Sequence, residues 1–436
     1  MNDILIADRP DGWNLLRLGQ AFEERKQKAS DKDFEALSVT RQGIVPQLDT
    51  AAKTDDGDNR KLVRKGDYVI NSRSDRKGSG GISSLDGTVS LISIVLQPRK
   101  NIEPAFAHHL LRSVAFQEEF YRMGHGIVAD LWTTRYSEMK NIRFHLPDLP
   151  TQKRIAAFLD RETARIDELI AKKERLVELL TATQTATPIR VMADGMGVIQ
   201  YDPTNNRVDF SSLADGWQRV RVKQVAKHMT SGSRGWSDFI QDDGELFLQS
   251  GSIDRKMGIS FDDSHRVAPQ SGAEADRTTV HNGDTLVCIT GGRTGAVGFV
   301  TGLNERAYIN QHVCLIRPSR TIEGRLLAQI LFSEIGQLHF QMAQYGLKQG
   351  MGFEQVANVA IPLPPREQQA SISAAIDSKA SKVADAVSEI VASIDRLREY
   401  RAALITSAVT GQIDVDTYGK TGATSATLDE IEEEMH

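Results

Sequence analysis

Two glycine-rich segments carry the polar side chains best placed for chemistry or ligand binding. RSDRKGSGG begins at Arg73, and GGRTGAVG begins at Gly291. The second segment is similar to a phosphate-binding loop, but it lacks the lysine and the following helix that the G-x-x-x-x-G-K-[ST] motif requires. We interpret it as a tight β-turn that exposes Arg293 and Thr294, with a purely structural hairpin as an equal alternative.

No catalytic motif is evident in the sequence. The ten histidines form no H-E-x-x-H pattern, no Ser, His and carboxylate set stands out, and the motifs of an adenine methyltransferase are missing. The two cysteines, Cys288 and Cys314, have no second Cys or His at zinc-finger spacing. We therefore assign no catalytic group and no metal site, and we expect both thiols to be reduced and buried on strands.

Composition indicates an ordinary globular protein, with 40% hydrophobic and 25% charged residues. No stretch reaches the ~18 apolar residues of a membrane helix, and the first residues do not have the pattern of a signal peptide. We therefore expect a cytoplasmic protein with no membrane partner.

The formal net charge of −5 hides a local clustering of basic residues. The tail from Asp414 carries seven acidic residues and one lysine, so the rest of the chain is close to neutral. What matters for binding a polyanion is local clustering. One short stretch contains seven basic residues: Arg60, Lys61, Arg64, Lys65, Arg73, Arg76 and Lys77.

The chain contains one long internal repeat. Asp11-Gly12-Trp13 recurs as Asp215-Gly216-Trp217, and KLVRKGDYVI matches TTVHNGDTLV. The second match displaces the sequence by 217 positions, and the same displacement aligns four later pairs: Leu146-Pro147 with Leu363-Pro364, Gln152 with Gln369, Ile155 with Ile372, and Asp160 with Asp377. A period this long means that each copy is a complete domain followed by a helix.

Each copy has a strand-rich part followed by a long helix. Short β-branched runs lie between glycine-rich turns, and each copy adds a more helical piece, which favours an α+β class. The two long helices are predicted over about 152–185 and 367–410, each after a Leu-Pro pair. Their apolar positions recur in steps of three and four: Ile155, Leu159, Ile166, Leu169, Leu176 and Leu180 in the first, and Val383, Val387, Ile390, Ile394, Leu397 and Leu404 in the second.

We expect these two helices to pack antiparallel as a coiled-coil spacer that separates the two similar globular domains. A helix of about 34 residues spans ~50 Å, which exceeds the ~34 Å of one turn of B-DNA. The alternative is that each helix packs on its own domain.

Two segments resemble the conserved regions of type I restriction-modification specificity subunits. They are LPDLPTQKRIAAFLDRETARIDELIAKKERLVELL, and IPLPPREQQASISAAID together with LREYRAALITSAVTGQIDV. With the repeat, the resemblance extends to about Val415. The departures are an extra residue in LPDLPTQ and the long connector TPIRVMADGMGVIQYDPTNNRVDF.

The resemblance implies a non-catalytic subunit with two target-recognition domains, each of which reads one half of a split, asymmetric site on double-stranded DNA. The helices would fix the spacing. They would also help to dock two methyltransferase subunits, which use S-adenosylmethionine, and motor-nuclease subunits could join. The predicted layout is domain 1 over 1–150, spacer helix 1 over 151–187, a connector over 188–210, domain 2 over 211–365, spacer helix 2 over 366–415 and an acidic, disordered tail over 416–436.

Phosphates call for Arg or Lys, and base edges for Arg, Lys, Asn, Gln, Ser or Thr. Glycine-flanked loops that present these residue types supply the candidate DNA contacts. In the first domain they are Arg73, Ser74, Arg76, Lys77, His125, Thr134 and Arg135; in the second they are Ser233, Arg234, Arg293, Thr294, Lys348 and Gln349. For each single residue, a solvated loop side chain is an equal alternative.

Two other classes of function are compatible with a duplicated chain of this kind. A self-sufficient restriction or methylation enzyme is disfavoured because no segment is left over for a catalytic domain. A scaffold whose duplicated domains bind protein remains the alternative, and the salt dependence of binding separates it from a DNA-reading subunit.

Overall fold

The computed structural model divides the chain into two compact units, one formed by residues 1–174 with 391–436 and the other by 175–390. The residues that it describes are 5–6, 10–48, 57–73, 77–126, 132–196, 199–202, 207–210, 213–268, 270–344 and 350–418. Strands and helices occur in both units, which confirms the α+β class.

The first copy of the repeat begins with short strands and ends in a long helix. Its elements are β1 (Asn14–Arg17), α1 (Leu18–Ala21), β2 (Phe22–Glu24), β3 (Lys28–Ala29), β4 (Leu37–Thr40), β5 (Gly43–Pro46), β6 (Arg60–Val63), β7 (Tyr68–Asn71), β8 (Gly80–Ile82), β9 (Gly87–Val89), β10 (Ser93–Pro98), α2 (Pro104–Arg112), α3 (Val114–Arg122), α4 (Tyr136–Met139), β11 (Arg143–Leu146) and α5 (Leu149–Thr183).

The second copy follows the same plan. Its elements are β14 (Gln218–Arg221), α7 (Val222–Val225), β15 (Ala226–Ser231), β16 (Ile240–Gln241), β17 (Glu245–Leu248), β18 (His265–Val267), α8 (Ala273–Thr278), β19 (Thr285–Cys288), β20 (Val297–Phe299), β21 (Ala307–Ile309), β22 (Val313–Pro318), α9 (Gly324–Phe332), α10 (Glu334–Ala343), α11 (Phe353–Ala357), β23 (Ala360–Leu363) and α12 (Arg366–Val409). Between the two copies lie α6 (Thr187–Met196), β12 (Ile199–Asp202) and β13 (Arg207–Phe210).

The central sheets of the two copies have the same strand order. In the first copy it is β2-β10-β7-β8, and in the second it is β15-β22-β19-β20. Both predicted cysteine strands belong to this second sheet, since Cys288 lies on β19 and Cys314 on β22. Both thiols are buried, and burial raises the pKa of each to about 12, so neither is reactive at neutral pH.

A shared turn leads into β7 and β19. Gly66 and Gly283 both have φ of +93°, a conformation that favours glycine. The next residue is a buried aspartate that accepts two hydrogen bonds from an arginine. Asp67 accepts them from Arg25 at 2.7 and 3.0 Å, and Asp284 from Arg317 at 2.9 and 2.7 Å. The arginine lies on β22 in the second copy and just after β2 in the first. The two copies therefore pair the buried aspartate with an arginine from different strands of the central sheet.

Each long helix is fixed to its globular part by a buried glutamine. The amide of Gln152 accepts from the N–H of Glu103 at 2.8 Å and donates to the carbonyls of Pro147 and Asn101. Gln369 repeats these contacts: it accepts from Glu323 at 2.7 Å and donates to Pro364 and Thr321. Both glutamines are fully buried. The repeated pair predicted from the sequence therefore has one structural role in both copies.

Within the first unit, the last part of α12 packs antiparallel on the first part of α5. Arg401 bonds to Asp167 at 2.8 and 3.0 Å, and Arg398 bonds to Glu174 at 2.8 Å, so later residues of α5 meet earlier residues of α12. Apolar side chains of both helices share the core of this unit. They include Ile155, Leu159, Ile166, Leu169, Leu397, Leu404, Ile405, Ala408 and Val409.

The apolar stripe of the two helices is not buried along its whole length. Ile155, Leu159, Ile166, Leu169, Ile394, Leu397 and Leu404 are buried, whereas Leu180, Val383, Val387 and Ile390 are half-buried. Leu176 is 40% exposed. The heptad-like spacing predicts the helical face correctly, but burial also requires a partner side chain at every step, which a single-helix pattern cannot specify.

The segments between and after the copies have more structure than the sequence suggests. The region treated as a connector contains α6 and the β12–β13 hairpin. Of the predicted tail, residues 416–418 are described, and the ring of Tyr418 lies 4.8 Å from that of Phe158. The remainder of the predicted tail, 419–436, lies outside the described residues.

His108 makes the stability of the first unit sensitive to acid. Burial, followed by the nearby charge of Arg112, lowers its pKa from 6.5 to about 4, and its Nδ1 accepts from the N–H of Ile82 at 3.4 Å. The unfolded chain therefore binds more protons between these pH values. Stability is complete above about pH 6.5 and falls by up to ~3 kcal/mol as the pH approaches 4.

His108→Gln is expected to flatten this dependence, because glutamine keeps an acceptor but does not titrate. Urea unfolding between pH 4 and 7.5, followed by hydrogen exchange in α2 and α3, measures the slope. His109 contributes to the slope that remains, since burial lowers its pKa as well. His265→Gln, at an exposed position, is the matched control. An unchanged slope in His108→Gln contradicts the prediction.

Candidate nucleic-acid interface

Three segments of the first copy meet beside the start of β10. The N–H of Ser72 donates to the carbonyl of Ile92 at 3.4 Å, and the N–H of Thr134 donates to Ser72 at 3.0 Å. Arg73 forms a β-bridge with Thr133. The end of β7, the turn at 90–92 and the loop before α4 therefore form one surface, which we call the first edge (residues 72–73, 90–92 and 133–134).

The second copy builds the same surface from equivalent residues. The N–H of Ile289 donates to the carbonyl of His312 at 2.9 Å, and the N–H of Met351 donates to Ile289 at 2.8 Å. Thr290 forms the β-bridge with Gly350. We call this surface the second edge (residues 289–290, 310–312 and 350–351). Two separate sequence segments predicted to bind DNA are thus neighbours in each copy.

Four of the candidate residues at or beside the first edge lie within the described part of the chain. Arg73 is half-buried on the β-bridge, and Arg135 is exposed at the start of α4. The ammonium of Lys77 pairs with Glu118 and lies 4.7 Å from the ring centre of Tyr121. His125 forms a second bridge to Thr133.

In the second copy, Arg234 is exposed in the turn after β15. Arg293 is exposed as well, but its Nη1 donates to the carbonyls of Gly251 and Ile253 at 2.7 and 2.8 Å. Thr294 donates to the carbonyl of Gly291 at 2.6 Å, which closes the tight turn. The GGRTGAVG segment is therefore a turn, as predicted, and two backbone carbonyls fix the side chain of Arg293.

Two candidates have structural roles in the interior. Thr134 is 2% exposed and donates its hydroxyl to the carbonyl of Phe120 at 2.7 Å, and Ser233 is fully buried beside Thr278. Neither hydroxyl reaches the surface, so we remove both from the DNA-contact set. Four further candidates lie outside the described residues: Ser74, Arg76, Lys348 and Gln349.

The basic cluster noted in the sequence is divided by the fold. Arg60 is 6% exposed and donates to Thr88 at 2.9 Å, while Lys61 donates to the carbonyl of Ser93 at 2.7 Å. Arg64 pairs with Asp86 at 2.9 Å. Arg60 and Lys61 therefore hold the strands of the domain together. Lys65 is exposed, Arg73 is half-buried, and Lys77 is exposed beside Glu118, so fewer basic groups face solvent than the sequence cluster suggests.

Sequence reasoning missed a polar group at the second edge. His312 Nδ1 is hydrogen-bonded to the hydroxyl of Thr290, and its Nε2 lies 3.2 Å from the amide of Gln311. The signal was present in the repeat: Gln311-His312 occupies the turn that holds Leu91-Ile92 in the first copy. Within the described residues, no three His, Cys, Asp or Glu side chains converge as metal ligands would.

None of the helices in the described ranges combines the length and apolarity that a membrane crossing demands.

Comparison with known proteins identifies the class. Residues 215–383 match the family model of the type I restriction modification DNA specificity domain. A solved chain from work on complex assembly and conformational transition of the type I R-M system is 19% identical with a TM-score of 0.64, over 93% of this chain and 100% of that one. The HsdS subunit from Thermoanaerobacter tengcongensis is also 19% identical, with a TM-score of 0.53 over 93% and 98%. No curated protein matches the chain.

At this identity the two structural likenesses establish the fold, which is that of an HsdS subunit. Residues 215–383 match the type I restriction modification DNA specificity domain, so the likeness to this family covers the second copy of the repeat. The resemblance inferred from the sequence is confirmed. Because this family is a DNA specificity domain and not an enzyme, the family match agrees with the absence of catalytic motifs in the sequence.

Proposed function

We propose that this chain is the DNA sequence-specificity subunit of a type I restriction-modification complex. Each copy reads one half of a bipartite, asymmetric site on double-stranded DNA. The observation that carries the proposal is the pair of edges, built with the same backbone contacts in both copies and bordered by exposed basic residues such as Arg135 and Arg234. Two equivalent surfaces in one chain suit a split site better than a single continuous one.

The long helices α5 and α12 act in this proposal as an antiparallel spacer. Their antiparallel contacts in the first unit support it, and a stiff helix pair would keep the unread gap constant. Two methyltransferase subunits, which supply S-adenosylmethionine chemistry, and motor-nuclease subunits would dock on the helices and domains. The apolar stripe at exposed Leu176 and half-buried Val387 offers surface for such contacts.

The direct test is to co-express the chain with a methyltransferase subunit of the same system, supply S-adenosylmethionine, and map modified adenines across a genome by long-read sequencing. A single split motif with a fixed gap is the expected result. Methylation that proceeds equally without this chain, or without a split motif, rejects the specificity role and favours the protein-binding scaffold.

Arg234→Gln is expected to weaken DNA binding to a similar degree for all sequences and to reduce the slope of log affinity against log salt by about 1. The reason is that an exposed arginine beside the second edge would neutralise one phosphate. Titration of a duplex at 50 to 200 mM salt measures the slope. Arg320→Gln is the control, since this exposed residue follows the opposite end of β22 from His312. Equal slopes for all three proteins contradict the phosphate contact.

A further inference from the structure

The turn before β10 and the turn before β22 share a backbone but differ in side-chain chemistry. Each is closed by one hydrogen bond, from Ser93 to Ser90 at 3.0 Å in the first copy and from Val313 to Asn310 at 3.1 Å in the second. The central positions are Leu91-Ile92 in the first turn and Gln311-His312 in the second. The fold therefore conserves the turn but not the groups that it presents.

In the first copy the turn presents two large apolar side chains to solvent. Leu91 and Ile92 are each 43% exposed. Single surface leucines are ordinary, but two adjacent ones on a surface that also carries Arg73 indicate a binding site. The backbone of Ile92 is bonded to Ser72, so both side chains project from the first edge itself.

In the second copy the turn presents an amide and an imidazole. One polar atom of the Gln311 amide engages His312, and the other is buried without a hydrogen-bond partner among the described residues. If the oxygen and nitrogen of the Gln311 amide are exchanged, one of the two atoms still has no hydrogen-bond partner. A buried polar atom without a partner opposes folding, so a bound water or a ligand is needed to complete it.

The second turn is held firmly by its neighbours. The N–H of Gln311 donates to the carbonyl of Ser233 at 3.1 Å, and the N–H of Asn310 donates to Leu248 at 3.1 Å. A Cβ at Gly232 would lie 2.2 Å from the carbonyl oxygen of Asn310, so only glycine permits this approach. Buried Ser233, first expected to contact DNA, thus positions the turn.

We propose that the two turns are base-reading elements, a step that rests on the proposed function and assigns specificity residues within it. Leu91 and Ile92 contact thymine methyl groups in the major groove, whereas the amide of Gln311 bonds to the edge of adenine, the base whose paired donor and acceptor match an amide. His312 orients that amide through its bond to Thr290. The difference between the turns accounts for two half-sites of unlike sequence.

The test exchanges the two turns. One variant combines Gln311→Leu with His312→Ile, and the other combines Leu91→Gln with Ile92→His. Each is co-expressed with the methyltransferase subunit, and modified adenines are mapped as for the wild type. Each variant is expected to lose discrimination by about tenfold or more at one or two adjacent base pairs of one half-site. The other half-site and the gap stay unchanged, and the two variants affect opposite half-sites.

Leu15→Gln is the control, because this leucine is 48% exposed outside both edges and should leave the motif intact. Unchanged half-sites in both variants, or a uniform loss of methylation from folded variants, overturn the inference while leaving the proposed function in place. If the second-copy variant does not fold, the variant that combines Leu91→Gln with Ile92→His, at the exposed first turn, still tests the inference. A wild-type complex without any split motif rejects the proposed function, and the inference falls with it.

Discussion

A chain that ends at residue 403 is expected to lose the folded first unit, whereas a chain that ends at residue 418 keeps it. Residues beyond 403 contribute side chains to the core that also contains Leu5 and Trp13. Leu404, Ile405 and Val409 are 5%, 7% and 1% exposed. The last residues of α12 therefore complete the core of the domain formed by the first residues of the chain.

The size of this effect follows from the buried area. Full burial of one leucine, isoleucine or valine side chain contributes about 2 kcal/mol, so the three together contribute at most ~6 kcal/mol. Domains are stable by only about 5–15 kcal/mol. Tight backbone packing adds to the loss, because Gly411 lies so close to Pro10 and Trp13 that a Cβ there would collide with Pro10.

Hydrogen exchange over residues 14–146 and limited proteolysis measure this loss directly. The chain ending at 418 is the matched control, since it retains Tyr418 against Phe158 and lacks only residues outside the described part. Residues 215–365 serve as an internal reference and should remain protected in both chains. Equal protection of the first copy in both truncated chains argues against a structural role for the end of α12.

Replacing Gln369 with leucine is expected to lower the free energy of unfolding by about 2–4 kcal/mol. Leucine has a similar volume, so packing changes little. However, the N–H of Glu323 and the carbonyls of Pro364 and Thr321 lose the amide that they share. Gln152→Leu should cost as much in the first copy, because its contacts are the same.

Urea unfolding of each variant provides the measurement. Gln368→Leu is the control: this neighbouring glutamine is exposed, and its loss should change stability by less than about 0.5 kcal/mol. A Gln369→Leu variant as stable as the control shows that water replaces the amide, and that the repeated glutamine is not what fixes the helix.

Much of the architecture could be predicted because it depends on local or repeated patterns. The 217-residue displacement aligned Gln152 with Gln369 and Asp160 with Asp377, and the structure gives both pairs similar surroundings. The long helices begin within three residues of their predicted starts, at Leu149 and Arg366. Helical periodicity and an internal repeat can be read directly from the sequence, so they can be predicted without knowing which segments pack together.

The candidate site was predicted only in part. The sequence pointed to the loops after β7 and before α4, which the structure brings together at the first edge, but it could not separate half-buried Arg73 from buried Arg60. Thr134 and Ser233 have the residue types of base readers, yet their hydroxyls face the interior. Residue type and glycine-flanked position indicate a loop, whereas exposure depends on the strands packed beneath it.

The sequence by itself determined the duplication, the α+β class, the two long helices and the resemblance to a DNA specificity family. The tertiary structure alone decided that residues 404–409 belong to the first unit and that the turns at 90–92 and 310–312 lie beside the candidate loops. The physical reason is the range of the interactions. Periodicity is set by neighbours three or four residues apart, whereas these contacts join segments that are distant in the sequence, and only the packed core and its hydrogen bonds bring them together.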